Sequence, residues 1–96
     1  MGEDLQVRIE QEAMAVIDEL RKAHTPKMSV EALAKAVFPN TPNARMIVQR
    51  MRKPQANGKT RAVSLGEFVK MCLAVGKQPL DVLAVVLNRL DETKVL

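Results

Sequence analysis

The sequence predicts an all-α domain of five helices, on three observations. Apolar residues recur at three- and four-residue spacing over most of the 96-residue chain. Ser, Thr or Pro stands where these stretches begin, and Pro or Gly where several of them end. The alternating β-branched and aromatic runs of strands are missing, and the only aromatic residues are two phenylalanines. The length fits one domain, read as 1–96 with residues 1–3 and 91–96 as flexible tails. At 47% hydrophobic, the chain has enough apolar side chains for a core, which argues against wholesale disorder.

The first helix is read over Asp4 to Lys22. Ile9, Ala13, Val16 and Leu20 form its apolar stripe, and Arg21 and Lys22 suit the negative end of its dipole. Pro26 marks a connector. Ser29 then caps a second helix, Val30 to about Phe38, with Met28 and Leu33 as a hydrophobic staple across the cap. Pro39 stops it. After a connector of about three residues, Thr41 and Pro42 read as N-cap and first residue of a third helix that Pro54 closes after Lys53. That helix places Ala44, Ile47, Val48 and Met51 on one side and basic or amide side chains on the other. Residues 54–63 read as a loop around Asn57-Gly58. Ser64 and Glu67 make a capping box for a fourth helix, and Gly76 suits its C-terminal turn. A fifth helix follows Pro79 and runs to about Leu90 with two apolar stripes. Leu80, Leu83, Leu87 and Leu90 form one; Val82, Val85 and Val86 form the other. One faces the core, and the valine stripe is taken as a homodimer surface, with the first helix as the other option.

Charge along the chain is uneven. Between Glu31 and Glu67 there is no acidic residue, and the 35 intervening residues carry +7 through Lys35, Arg45, Arg50, Arg52, Lys53, Lys59 and Arg61. The other 61 residues carry −3, so the net +4 hides one cationic block able to attract an anionic polymer. The scarcity of aromatics argues against platforms that stack unpaired bases and points the block at duplex DNA.

Other classes have little support. One histidine (His24) and one cysteine (Cys72) provide no catalytic triad, disulfide or zinc site, so no enzyme activity is expected. Four scattered glycines form no phosphate-cradling loop, so no cofactor or small-molecule substrate is implied. The start MGEDLQ lacks the basic and apolar regions of a secretory signal, and the longest apolar run, Val82 to Leu87, is far short of a membrane span. A cytoplasmic protein is expected.

The stretch MSVEALAKAVF resembles the start of the lambda-repressor-like (Xre/Cro type) helix-turn-helix DNA-binding family, with Leu33-Ala34 at that family's leucine–alanine pair. NGKTRAVSLGEFVKMCLAVGKQPLDVL resembles the family's basic loop, capped fourth helix and short fifth helix, so the likeness spans roughly residues 16–90. It departs in the motif turn, where Pro39-Asn40 stands in place of glycine. The resemblance implies a transcriptional regulator, phage or prokaryotic in type, that binds double-stranded DNA as a homodimer. Its third helix, about 42–53, would lie in the major groove. Asn43, Arg45, Met46, Gln49 and Arg50 would then meet base edges, the amides suiting adenine and the guanidiniums guanine. Ser29, Thr41, Arg52, Lys53, Lys59, Thr60 and Arg61 would meet phosphates. Two alternatives stay open: a helical protein-interaction module of antitoxin or adaptor type, and a non-specific DNA-binding phage accessory protein.

Overall fold

The computed structural model describes residues 5–53 and 60–93, and among these it contains helices and no strand. The helices are α1 (Leu5–Ala23), α2 (Val30–Val37), α3 (Ala44–Arg52), α4 (Leu65–Ala74) and α5 (Pro79–Thr93). α1 packs along α5 and also touches α3 and α4, while α2 packs on both α3 and α4. Their apolar stripes meet in one core. Ile17 of α1, Val48 of α3, Met71 and Cys72 of α4 and Val86 of α5 are 0% exposed. Each such aliphatic side chain contributes about 1.5–3 kcal/mol by leaving water. Ala34 lies buried on α2, where α3 and α4 both pack, and its small side chain permits close helix approach.

Local signals explain most helix ends. The Ser29 hydroxyl accepts from the Ala32 N–H at 3.0 Å and starts α2. Phe38 ends it with φ −125° and ψ 66°, because Pro39 disfavours helical geometry in the residue before it. At α4 the capping box is complete: the Ser64 hydroxyl accepts from Glu67 N–H at 3.2 Å, and the Glu67 carboxylate accepts from Ser64 N–H at 2.9 Å. The far end of α4 closes on Gly76 at φ 79°, with Lys77 N–H donating to Cys72 and Gly76 N–H to Leu73. This pair of bonds is a Schellman motif, which needs a left-handed residue that glycine adopts without cost.

Three boundaries differ from the sequence reading. α3 begins at Ala44 rather than Pro42, because Asn43 adopts the left-handed region at φ 59° and interrupts the helical path. The α2–α3 connection therefore spans residues 38–43, longer than the three expected. α5 continues to Thr93, so residues 91–93 are helical and not a tail.

The larger correction concerns the face of α5. Val82 and Val86 are 2% and 0% exposed and belong to the core, so they form no dimer surface; of the three valines only Val85 reaches solvent. The outward face instead carries Leu80, Leu83 and Leu87. Arg89 explains the choice. Its guanidinium reaches Glu19 at 2.7 Å and Glu12 at 3.5 Å on α1. Positions 82, 86 and 89 share one helical face, so docking Arg89 on α1 turns the valines inward with it.

Candidate nucleic-acid interface

α3 divides cleanly into two sides. Ala44, Val48 and Met51, at spacings of four and three, are buried. Arg45, Met46, Arg50 and Lys53 are exposed, Gln49 is half-buried, and no acidic residue lies on the helix. Arg50 and Met46 lie together, with Nη2 3.6 Å from the thioether sulfur.

The expected contact residues gather at the two ends of α3. At its start, Arg45 stands between two shallow concavities. One is lined by Lys27 and Ser29 at the beginning of α2; the other by Lys35, Thr41 and Asn43 along the connection; Glu31, paired with Lys35 at 3.6 Å, borders both. At its end, Lys53 caps the helix, its N–H donating to the Gln49 carbonyl. There the following loop is tied to α3 through Arg61 N–H, which donates to the Arg50 carbonyl at 2.8 Å. Thr60 lies beside this tie and is half-buried. Lys59 lies outside the described residues.

Two of the expected phosphate ligands are engaged elsewhere. Arg52 is turned inward: its Nε and Nη2 donate to the two oxygens of Asp18 on α1, each at 3.0 Å, and its side chain is 13% exposed. The physical reason is position, since Arg52 follows the buried Met51 at the α1–α3 contact, where only a carboxylate can offset its charge. Arg61 donates to Glu67 at 3.3–3.4 Å and to the Ala62 carbonyl, so its cation is largely offset. Asn43 contributes its backbone turn, and its side chain makes no cap bond. Lys27 has the opposite history. It was not among the expected contacts, yet it stands with Ser29 and Arg45; its only sequence signal is its place two residues before the α2 cap.

The acids of α1 are occupied within the fold. Glu10 accepts from Val63 N–H at 2.7 Å, Glu12 and Glu19 meet Arg89, and Asp18 meets Arg21, Lys22 and Arg52. Burial raises the Asp18 pKa, but the hydrogen bonds and charges of Arg52 and Arg21 outweigh it and hold the carboxyl down at about 2. At Glu67 burial likewise acts upward and is overcome by the Ser64 backbone and Arg61, leaving it below the usual range. On α2 Lys35 pairs with Glu31 at 3.6 Å, so the residual field on this side of the fold comes chiefly from the unpaired cations of α3.

His24 and Cys72 stand apart. His24 Nδ1 lies 2.8 Å from the Pro26 carbonyl, and Cys72 is sealed in the core with its thiol pushed up to about 11 by burial. Among the described residues no cluster of acids, His and Cys could hold a metal ion, and no helix is long and apolar enough to cross a membrane. No family model, curated protein or solved structure matches the chain.

Proposed function

We propose that this protein is a duplex-DNA-binding regulator in which the outward side of α3 enters the major groove, with α2 and α3 acting as a helix-turn-helix of the lambda-repressor type. The observation that carries this reading is the sorting of charge. Arg45, Arg50 and Lys53 project from an acid-free helix, while every carboxylate of α1 within the described residues is bonded inside the fold. A protruding helix with basic and amide side chains suits the width of the major groove. The concavity holding Lys27, Ser29 and Arg45, beside the start of α2, suits a backbone phosphate, the one carboxylate bordering it, Glu31, being paired with Lys35. A second copy belongs to this reading through the exposed Leu80, Leu83 and Leu87 of α5.

Titration of short random-sequence duplexes at several salt concentrations tests it. With Arg52 and Arg61 bonded internally, roughly three phosphate contacts per protomer remain, so log K falls against log salt with a slope of about −3 per protomer. No binding to any duplex at low salt rejects the proposal. Selection of a palindromic site supports an operator-reading regulator over a non-specific accessory protein.

A further inference from the structure

Gln49 is held by a chain of hydrogen bonds that begins on another helix. Asp18 on α1 accepts from Nε and Nη2 of Arg52, each at 3.0 Å. The remaining fork of Arg52, Nη1, donates to Gln49 Oε1 at 2.5 Å. Arg21 grips the same carboxylate at 2.7 Å, so Asp18 cannot swing away with Arg52. The Asp18 and Arg52 side chains are 19% and 13% exposed, which shields the chain of bonds from competing water.

The orientation of the Gln49 amide follows from chemistry. A guanidinium has five donors and no acceptor. An amide beside it must present its oxygen, since the reverse flip would set N–H against N–H. One lone pair of the oxygen is thereby taken, and the bound cation weakens the other as an acceptor, while Nε2, a donor only, has no partner among the described residues. It is not sealed off either, as no buried side-chain nitrogen or oxygen of the described residues lacks a partner.

We infer that Gln49 reads the keto bases, guanine and thymine, in the major groove, and that Arg52 is the positioning residue that sets this preference. The inference rests on the DNA-binding reading above. A glutamine reads adenine with both ends of its amide, the oxygen accepting from N6 and the nitrogen donating to N7. Here the accepting end already holds the Arg52 cation, so the donating end is the stronger one left for a base. Guanine offers N7 and O6, and thymine offers O4, all acceptors for Nε2. Adenine offers the single acceptor N7, and its N6, like cytosine N4, would set a donor against a donor. The adenine role expected from the residue type alone is replaced by one that the neighbouring guanidinium dictates.

The test is selection from a randomised duplex library with wild type, Gln49→Ala and Arg52→Met, followed by affinity measurements on the selected sites. Wild type should prefer guanine or thymine over adenine at one position per half-site by about tenfold, the scale of one well-placed base contact. Gln49→Ala should flatten that position, and Arg52→Met should move it toward adenine. Adenine at the Gln49-dependent position in wild type, or no position that responds to Gln49→Ala, overturns the inference and leaves DNA binding standing. Failure of wild type to bind any duplex overturns both. Because Arg52→Met also loosens the α1–α3 contact, nitrogen relaxation of the Gln49 side-chain amide in the DNA-free wild type supplies a second arm. An order parameter near the rigid-backbone value of about 0.85 is expected, and one below about 0.6 rejects the held amide.

Discussion

The α1–α5 seam and the outward side of α3 carry the same kinds of side chain and use them in opposite ways. In the seam, Arg89 spends its cation on Glu12 and Glu19, two acids two turns apart on α1. On α3, Arg45 and Arg50 meet no carboxylate among the described residues. A count of arginines treats these as equal. Their neighbours make the first a fastener between helices and the second a source of external field. Surface charge is thus set by which acids the fold brings to which bases, and the net +4 carries little of that information.

The comparison can be broken most severely on α5. Val86→Glu places a carboxylate in a fully buried site and should cost more than about 4 kcal/mol, seen as loss of the cooperative denaturant transition. Leu87→Glu, one residue on and 46% exposed, should change stability by less than about 0.5 kcal/mol while lowering the mass in sedimentation if α5 pairs two copies. Equal costs at the two positions would contradict the assigned face.

The next largest effect lies at Asp18. Asp18→Ala leaves Arg21 and Arg52 facing each other without their shared carboxylate, and denaturation should report a loss of about 3 kcal/mol. Acid should mimic it. The folded pKa of about 2 lies below the ordinary aspartate value of 3.8, so the stabilisation is complete above pH ~5 and is lost as pH falls through the folded value. The contribution is about 2 kcal/mol, with Glu19 and Glu67, also shifted downward, acting in the same sense. A stability profile flat from pH 6 to about 2 would remove the bridge from the account.

The smallest effects on the fold, and the most informative about the interface, come from the two arginine classes on α3 itself. Arg45→Ala should leave the denaturation midpoint unchanged, weaken duplex binding about five- to thirtyfold and relax base preference. Arg52→Ala should lower stability while leaving the salt slope of binding near its wild-type value, because Arg52 spends its charge on Asp18. If Arg52→Ala instead flattens the salt slope with stability intact, Arg52 is a phosphate ligand after all.

What could be read from the sequence follows the range of each interaction. α4 was legible from end to end, because Ser64, Glu67 and Gly76 act on backbone groups within a few residues of themselves. The start of α3 was misplaced by two local signals in conflict. Thr41-Pro42 has the pattern of a helix start, but Asn43 in the left-handed region delays the helix to Ala44. The Arg52–Asp18 bridge joins residues 34 apart, and the Arg89–Glu19 pair residues 70 apart. Neither leaves a trace in local periodicity. Without the second, nothing in the two stripes of α5 distinguishes the buried face from the exposed one. The same blindness applied to the candidate interface: residue types on α3 were plain, while the inward turn of Arg52 depended on a distant carboxylate.

Cys72 has a practical consequence. It is the sole cysteine in the chain, fully enclosed, with a thiol that burial keeps protonated at neutral pH. A thiol-specific reagent can reach it only when α4 separates from its neighbours, so the rate of labelling clocks the opening of the core. One native atom thereby serves as a probe of global unfolding without any added label. Each substitution above can be sorted by it: those that disturb the frame should hasten modification, and those confined to the outward side of α3 should leave its rate alone.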